Sequence, residues 1–223
     1  MSEAKLTIGI IGGAGKEGGG LARRWAAAGH RVMIGSRAVD RAAEAAETLN
    51  AELGVGDVRG DANLAVAEAA DIVVLAVPYS AQQETALAIA PALQGKVLID
   101  VTAPLKPPKV GTVQLPPGGS AVAALGALLG PGVTVVAAFQ NISAHHLNDL
   151  GHAMDCDVLV ASDDEAAAQR VIGLVADAGM RGWHVGPLAN SAAAEALTSI
   201  MIQLNRRYKL DGAGIRITGA PRA

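Results

Sequence analysis

A glycine-rich turn near the start of the chain limits the choice of fold more than any other segment. It reads Gly13-Ala14-Gly15-Lys16-Glu17-Gly18, between an apolar run over 6–11 and a helical stretch over 16–28. In a turn from a strand to a helix, the first glycine permits the tight bend, the second lets a pyrophosphate approach the backbone, and the third lets the helix pack on the strand. Since the chain holds 27 glycines, chance could produce the spacing without a ligand. A second strand-like run at 31–34 favours a nucleotide-binding βαβ unit.

A serine and two arginines follow that second run, at the position that distinguishes the dinucleotides. An NAD enzyme usually has a carboxylate there, about 20 residues beyond the glycines, whereas this chain has Ser36 and Arg37. A guanidinium can stack on adenine and bind a phosphate through two hydrogen bonds, and Arg41 lies one helical turn further on. The alternative is a solvated arginine pair, which the dipole at a helix start disfavours. The pattern therefore predicts NADP(H) rather than NAD(H).

Strand-like and helical runs continue to alternate after this unit. The predicted helices and strands cover 39–53, 71–77, 81–93, 96–101, 120–129 and 133–137. The run at 71–77 is apolar throughout, as expected for a strand covered on both faces. This alternation predicts an α/β fold, a Rossmann-type doubly wound parallel sheet. Residues 102–119 hold five prolines and three glycines, which indicates a long loop of the kind that is often functional.

The same alternation returns after the main series of elements. A strand, a helix, a strand and a long helix are predicted at 158–160, 163–178, 181–185 and 190–207. They would form a small C-terminal α/β extension, although no change in composition marks a linker before it. We therefore expect an NADP-binding Rossmann domain over 1–150 and a small C-terminal region over 151–223.

Composition and charge restrict the partners and the location of the protein. A formal net charge of −3 argues against a nucleic-acid surface, which would require a basic face. The single cysteine, Cys156, excludes an intrachain disulfide and fits a reducing compartment. No run approaches about 18 apolar residues and the start shows no leader pattern, so we expect a cytoplasmic protein without a membrane span.

Seven short motifs stand in this chain in an order that points to one known family. They are Ile-Gly-Gly-Ala-Gly-Lys-Glu-Gly (11–18), Gly-Ser-Arg (35–37), Val-Pro-Tyr (77–79), Ala-Ala-Phe-Gln-Asn-Ile-Ser-Ala (137–144), Gly-Pro-Leu-Ala-Asn-Ser (186–191), Leu-Asn-Arg-Arg-Tyr-Lys (204–209) and Gly-Ile-Arg-Ile (214–217). With them the chain resembles the NADPH-dependent reductases of coenzyme F420, the 8-hydroxy-5-deazaflavin:NADP oxidoreductases. The resemblance covers nearly the full length, and the last three motifs are the most specific. It implies NADP(H) as cofactor, coenzyme F420 as co-substrate, and a homodimer.

The resemblance also assigns roles to residues at matching positions. The pyrophosphate loop would comprise Ala14, Gly15, Lys16 and Glu17, and the clamp on the 2′-phosphate would comprise Ser36, Arg37 and Arg41. The rest of the NADP channel would be lined by Tyr79, Gln83, Leu105 and Ala144. Gln140 and Ile142, in the segment 140–142, would face the two reacting rings. Ala213 would approach the outer face of the deazaflavin.

The dipeptide Pro78-Tyr79 ends the apolar run 71–77, at the carboxyl edge where open α/β sheets bind ligands. Tyr79 could pack near the nicotinamide half of a dinucleotide. Alternatively, the pair is a proline-capped strand end with a half-buried tyrosine, and the residues alone favour neither.

Gln140 departs from the family pattern, in which histidine is usual at this position. Ser143 likewise replaces a common proline. A glutamine can hydrogen-bond a carboxamide or a ring carbonyl, but it cannot titrate near neutral pH. If a charged histidine recruits the deazaflavin, the affinity of this chain for it is weaker. If the histidine only orients the ring, Gln140 suffices.

Hydride transfer between two cofactors requires few catalytic side chains, because the protein mainly stacks the cofactors and excludes water. We accordingly predict no catalytic residue, since the chain shows no Ser/His/Asp set, no Cys-x-x-Cys and no paired carboxylates. No metal site is predicted either. Adjacent histidines such as His145 and His146 face different directions, and with His152 they lack a convincing acidic partner.

Two other functions are compatible with these residues. An NADPH-dependent reductase of an imine or a ketone would need a proton donor near the nicotinamide, for which Tyr79 or a bound water is available. A non-catalytic NADP-sensing protein would need an exposed apolar patch or tail to contact a partner, and the sequence shows neither clearly.

Overall fold

A six-stranded parallel sheet forms the centre of the computed structural model, which describes residues 5–219. The strands are β1 (Thr7–Ile11), β2 (Arg31–Ser36), β3 (Arg59–Ala62), β4 (Ile72–Leu75), β5 (Val97–Asp100) and β6 (Thr134–Ala137). Their order across the sheet is β3-β2-β1-β4-β5-β6, and every neighbouring pair is parallel. The order reverses between β1 and β4, which confirms the doubly wound Rossmann-type sheet. A ligand crevice is expected beyond the carboxyl ends of the strands at that point.

Helices cover both faces of this sheet. They are α1 (Lys16–Ala27), α2 (Val39–Leu53), α3 (Asn63–Ala69), α4 (Gln82–Leu93), α5 (Ala121–Leu129) and the short α6 (Ala144–Leu147). In β4, Ile72 and Val74 join the core under α1 and α2, whereas Val73 and Leu75 join the core under α3, α4 and α5. All four side chains are fully buried, which explains why this strand is apolar throughout.

The sequence pattern predicts neither β3 nor α3, which the structure places at one edge of the sheet. β3 reads Arg-Gly-Asp-Ala, without an apolar run, and pairs with β2 alone. Its Gly60 lies so close to α2 that an added Cβ would sit 2.1 Å from the Ala42 carbonyl oxygen. The strand therefore forms because α2 and β2 hold it in place, a tertiary cause that local periodicity does not report.

A smaller unit follows the main sheet and corresponds to the predicted C-terminal α/β extension. It comprises β7 (Asp157–Val160), α7 (Glu165–Asp177), β8 (Arg181–His184) and α8 (Ser191–Tyr208). β7 and β8 form a separate parallel pair, and one antiparallel bridge between Ala137 and Ala161 links this pair to β6. The Asp164 carboxylate accepts a hydrogen bond from Ala167 N (2.9 Å) and so caps α7. No helix within residues 5–219 combines the length and the apolar character needed to cross a membrane.

Two side chains of α1 dock the smaller unit against the main sheet. Trp25 Nε1 donates to the Leu174 carbonyl oxygen of α7 (2.8 Å), and the Trp25 ring meets Phe139 edge-on at a centroid distance of 5.8 Å. The buried Arg24 guanidinium donates to five backbone carbonyls, those of His146, Leu147, Asp149, His152 and Ala178. The smaller unit and the main sheet thus share one core under α1.

Residues 102–119 contain no helix or strand, which confirms the long loop. The loop is not detached from the fold. Ser199 Oγ of α8 donates to the Thr112 carbonyl oxygen (3.3 Å), so the smaller unit holds the loop near the carboxyl edge of the sheet, where β5 ends.

Candidate functional site

The turn from β1 to α1 is held by backbone contacts. Gly12 takes the left-handed conformation, at φ +84°, so the bend that the sequence assigns to Gly13 centres one residue earlier. A Cβ on Gly12 would lie 2.4 Å from the Ala76 carbonyl oxygen. Gly12 N donates to Gly35 O (3.0 Å), and Gly15 N donates to Gly12 O (2.9 Å). Sequence reasoning missed Gly12, although the Gly12-Gly13 doublet was an available signal.

The other two glycines of the motif lie where the sequence predicts them, Gly18 in close packing and Gly15 beside open space. A Cβ on Gly18 would lie 2.7 Å from the Gly12 carbonyl oxygen, so the close packing of α1 on the turn requires glycine there. Gly15 is exposed, and a Cβ on it would meet one atom within 4 Å, the same Gly12 oxygen at 3.1 Å. In the described part of the chain no side chain caps the start of α1. The N–H groups of its first turn are therefore available to an anion.

The residues predicted to clamp a 2′-phosphate lie where β2 ends and α2 begins. Ser36 Oγ accepts a hydrogen bond from Ala38 N (3.2 Å), and Arg37 is exposed. Arg41 is also exposed and borders a groove of about 320 Å³ that reaches back to the glycine turn. Within residues 5–219 neither arginine has an ion-pair partner. Both guanidinium groups are thus free to bind an anion, and Arg41 shares its groove with Gly13 and Ala14.

A larger cavity, of about 780 Å³, opens at the carboxyl edge of the sheet. Residues 15–17 line it beyond β1, and Gln140 and Ile142 line it beyond β6, so it extends along the ends of β1, β4, β5 and β6. Thr198 of α8 also reaches it. The remaining wall comes from the segments after β4 and β5: Ala76, Val77, Pro78, Tyr79, Ser80, Val101, Thr102, Ala103, Leu105, Lys106, Pro107 and Val110. This is the place where open α/β sheets bind ligands.

Five of the eight site residues predicted beyond the glycine turn and the 2′-phosphate clamp meet in this cavity. Those in its wall are Pro78, Tyr79, Leu105, Gln140 and Ile142. Three others do not line it, namely Gln83, Ala144 and Ala213. Gln83 is exposed on α4, Ala144 begins α6, and Ala213 N donates to Asn205 Oδ1 (2.7 Å). The structure therefore assembles the middle of the predicted channel, and these three assignments stay predictions.

Asp100, which sequence reasoning missed, is buried behind the cavity wall. Its carboxylate accepts hydrogen bonds from Gln82 Nε2 (2.6 Å) and Thr102 N (2.9 Å). Its backbone carbonyl accepts from Gln140 Nε2 (2.8 Å). On α4 it is thus Gln82, beside the exposed Gln83, that turns toward the site. A carboxylate at the end of the otherwise apolar β5 was the available signal.

Two carboxyl groups at the site have raised pKa values. Burial raises the pKa of Asp100 to about 6, although hydrogen bonds from Thr102 and Gln82 act in the opposite direction. Burial, reinforced by the negative charge of Asp100, raises the pKa of Glu17 to about 8. At neutral pH Asp100 is therefore mostly ionised and Glu17 mostly protonated. A neutral Glu17 does not repel an anion at the start of α1, as an ionised carboxylate would.

Gln140 lines the cavity and has an unpaired hydrogen-bond acceptor. Because the backbone carbonyl of Asp100 can only accept, the side-chain amide of Gln140 must turn its Nε2 toward it. The Oε1 of Gln140 is then buried, without a hydrogen-bond partner among the described residues. Thr198 Oγ1 donates to the Gln140 carbonyl oxygen (2.7 Å) and holds this segment against α8. A ligand that supplies an N–H or O–H group would satisfy the Oε1.

The histidines around α6 pack against each other and against the chain that follows α8. The His146 and His152 rings stack at a centroid distance of 3.8 Å, and His146 Nε2 lies 3.8 Å from Asp211 Oδ1. Gly212 covers His146 so closely that an added Cβ would lie 2.3 Å from its Cε1. Between residues 5 and 219, no group of three or more His, Cys, Asp or Glu side chains is placed to hold a metal ion.

The chain is similar to known proteins of one family. Residues 7–104 match the family described as NADP oxidoreductase coenzyme F420-dependent. The F420-dependent NADP reductase of Methanothermobacter thermautotrophicus is 40% identical, over 97% of this chain and 96% of its own length. That of Methanocaldococcus jannaschii is 37% identical, over 96% of this chain and 98% of its own length. The crystal structure of a proposed F420-dependent NADP reductase from Arthrobacter sp. FB24 superposes with a TM-score of 0.77 at 26% identity, covering 92% of this chain and 95% of that one.

Proposed function

Because the chain belongs to the family of F420-dependent NADP reductases, we propose that the cavity at the carboxyl edge of its sheet brings NADP(H) and coenzyme F420 together. The protein is an oxidoreductase that transfers a hydride between these two molecules. The observation that carries the placement is the continuity of the cavity from the glycine turn to Gln140. Its volume of about 780 Å³ is within the usual range of ligand sites.

NADP(H) fits the side of the cavity formed by the glycine turn. Its pyrophosphate would lie on the first turn of α1, where Gly15 leaves the backbone open and no described side chain occupies the helix start. Its 2′-phosphate would lie among Ser36, Arg37 and Arg41. Glu17, protonated at neutral pH, would donate a hydrogen bond to the ligand instead of repelling its phosphates.

Gln140 would orient a ring at the other side of the cavity. The nicotinamide carboxamide and the deazaflavin imide each have an N–H group, and either would satisfy the buried Oε1 of Gln140. The Nε2 of Gln140 is already bound to Asp100 O and is not available to a ring carbonyl. In this chain, therefore, residue 140 would act by orienting a ring and not by attracting it with a positive charge.

The chemistry needs little more from the chain. When both are bound, the two cofactors supply the redox step, in which a hydride passes between nicotinamide C4 and deazaflavin C5. The apolar side chains of Val77, Leu105 and Ile142 would exclude water from the space between the rings. We assign no side chain a catalytic role.

The C-terminal region would form the deazaflavin side of the site. In support of this, α8 reaches the cavity through Thr198 and holds the segment of Gln140. Within this proposal the division into an NADP-binding part (1–150) and a deazaflavin-side part (151–223) is retained. Gln83, Ala144 and Ala213 are retained as contact residues beyond the cavity wall.

Rapid mixing of the purified protein with NADPH and oxidised coenzyme F420 tests the proposed function. We expect the absorbance of the oxidised deazaflavin to fall in step with that of NADPH. Binding of NADPH without turnover would indicate the NADP-sensing alternative instead. Reduction of an imine or ketone without reduction of coenzyme F420 would indicate the other reductase.

Two variants test whether the activity depends on the cavity. Gln140→Leu should lower turnover about tenfold, because a ring loses one hydrogen bond to a buried group. Gln94→Leu is the matched control, since Gln94 is exposed and its Nε2 donates to Ala90 O at the far end of α4. Equal losses in the two variants would remove Gln140 from the proposed site.

We also propose that the protein is a cytoplasmic homodimer. The resemblance implies the dimer, and α8 offers an exposed Ile200 and several small residues to a second copy. The single cysteine, Cys156, fits a reducing compartment. Sedimentation equilibrium should give twice the chain mass of 22.4 kDa. A monomer at every concentration tested would overturn the dimer.

A further inference from the structure

Several exposed basic residues lie beside the cavity. The loop 102–119 and the stretch 196–210 together hold five basic residues and no aspartate or glutamate: Lys106, Lys109, Arg206, Arg207 and Lys209. The whole chain, in contrast, has 21 acidic and 18 basic residues. An acidic protein thus concentrates positive charge in two segments that are distant in the sequence. We refer to Lys106, Lys109 and Arg206 as the basic rim.

The fold brings these three residues to one face of the molecule. Lys106 is exposed and also lines the cavity, so it lies where the cavity meets solvent. A turn places Lys109 next to it, because Lys109 N donates to Lys106 O (3.1 Å). The same loop then reaches α8, where a Cβ added to Gly111 would lie 3.6 Å from Arg206 Nη1.

The charges of the basic rim are not neutralised by the protein itself. In the described part of the chain none of the three residues takes part in an ion pair, and all three are exposed. An arginine in the last turn of a helix is stabilised by the helix dipole, which accounts for Arg206 without a ligand. The two lysines lie in a loop and have no such stabilisation. Clustered, unpaired cations at the opening of a cavity attract anionic ligands.

We propose that the basic rim binds the anionic tail of the deazaflavin substrate. The proposal rests on the proposed function, in which the deazaflavin ring enters this cavity. Coenzyme F420 has a phosphate and glutamate residues at the end of its ribityl chain, so its tail is a polyanion that must leave the cavity toward solvent. Under the proposed function, the phosphates of NADP(H) would lie at the glycine turn and the arginines after β2, which leaves the basic rim to the second substrate.

A comparison of two deazaflavins tests the proposal. Dissociation constants are measured by fluorescence for coenzyme F420 and for the corresponding deazaflavin that ends at the ribityl hydroxyl, without phosphate or glutamates. At about 50 mM salt the native protein should bind the tailed form about tenfold more tightly. At about 500 mM salt, where exposed charges are screened, this ratio should approach one. In Lys109→Ala/Arg206→Ala, which leaves the cavity wall intact, the ratio at low salt should fall to about two.

A charge-matched control completes the experiment. Arg31→Ala/Arg59→Ala removes two exposed charges at the starts of β2 and β3, on the opposite edge of the sheet, and should keep the tenfold ratio. The proposal is overturned by equal affinities of the native protein for both deazaflavins, by an unchanged ratio in Lys109→Ala/Arg206→Ala, or by an equal loss in the control. Reduction of neither deazaflavin by NADPH would count against the proposed function instead.

Discussion

The two sides of the cavity are built by different kinds of contact. On the side of β1 the backbone forms the site. Gly12 donates a hydrogen bond to the Gly35 carbonyl oxygen and accepts one from Gly15 N, and a Cβ on Gly12 would collide with the Ala76 carbonyl oxygen. On the side of the smaller unit, side chains bind segments far away in the sequence. Arg24 binds carbonyls more than 100 residues away, and the Glu195 carboxylate accepts from Ser120 Oγ (2.6 Å) and Ala121 N (2.7 Å). Stability should therefore fall when a substitution adds an atom on the nucleotide side, and when a substitution removes a hydrogen-bonding group on the C-terminal side.

The largest effect is expected from Gly12→Ala, which adds an atom on the nucleotide side. The new methyl would lie 2.4 Å from Ala76 O on a backbone at φ +84°. We expect the free energy of unfolding to fall by about 3 kcal/mol or more, seen as a loss of about 10 °C in Tm. Gly54→Ala is the control, because Gly54 has φ +65° but no atom within 4 Å of the added Cβ. It should cost about 1 kcal/mol. Equal shifts would show that the contact with Ala76 is unimportant.

The next largest effect should come from Arg24→Met, which removes a group on the other side. Methionine keeps much of the apolar stem but leaves five carbonyls without their donor. The free energy of unfolding should fall by about 3 kcal/mol, and amide exchange should accelerate over 144–152. The neighbouring Arg23 pairs with Glu52 nearer the surface, so Arg23→Met should cost about 0.5 kcal/mol. If the two variants are equally stable, the carbonyl contacts of Arg24 do not hold the segment 146–152 and Ala178 in place.

A third effect concerns the anion that the nucleotide side is proposed to bind. Arg37→Ala/Arg41→Ala should raise the KM for NADPH about 30-fold, because two charged hydrogen-bond donors to the 2′-phosphate are lost. The KM for NADH should stay nearly unchanged, and Arg31→Ala/Arg59→Ala should change neither value. A parallel rise for NADPH and NADH would refute the 2′-phosphate assignment.

The smallest effect is a pH dependence that originates at Glu17. Folding raises the pKa of this carboxyl from 4.5 to about 8, so the folded state holds a proton that the unfolded state releases. Its contribution to stability is full below pH 4.5 and is lost as the pH rises through about 8. Glu17→Gln cannot ionise. The variant should match the native protein near pH 4 and exceed its stability by about 1–2 kcal/mol at pH 9.

Thermal unfolding at several pH values measures this difference. Glu84→Gln, at an exposed position in the first turn of α4, controls for the loss of a carboxylate near a helix start. Parallel stability curves for the native protein and Glu17→Gln would show that Glu17 releases its proton equally easily in the folded and unfolded states.

The elements that local patterns encode were predictable. The helix α2 matches its predicted bounds at Val39 and Leu53, and the apolar runs of β4 and β5 correspond to strands buried on both faces. β3 was not predictable, because its four residues have no apolar periodicity and are ordered by the close approach of α2 at Gly60.

The candidate site likewise contains residues that the sequence indicates and residues that only the tertiary structure brings together. The glycine turn, Tyr79, Leu105 and Gln140 could be found from spacing or resemblance, and the cavity is lined by residues 15–17 of the turn and by the other three residues. Gln82 and Thr198 could not be found in this way, because their importance depends on which side chains meet across β5, α4 and α8, and for Asp100 the sequence offers only a carboxylate at the end of an apolar strand. The resemblance directs attention to Gln83, whereas the helical register turns Gln82 inward.

The sequence by itself determined where the glycine turn lies, because the strand before it, the glycine spacing and the helix after it all belong to one short segment. It also determined most of the strands and helices, although not β3 or α3, since periodic burial is a local property of each segment. Only the tertiary structure decided how the C-terminal side of the cavity is built. The buried Asp100, the direction of the Gln140 amide and the approach of Gly111 to Arg206 depend on distances between remote segments, which the packing of the whole chain sets.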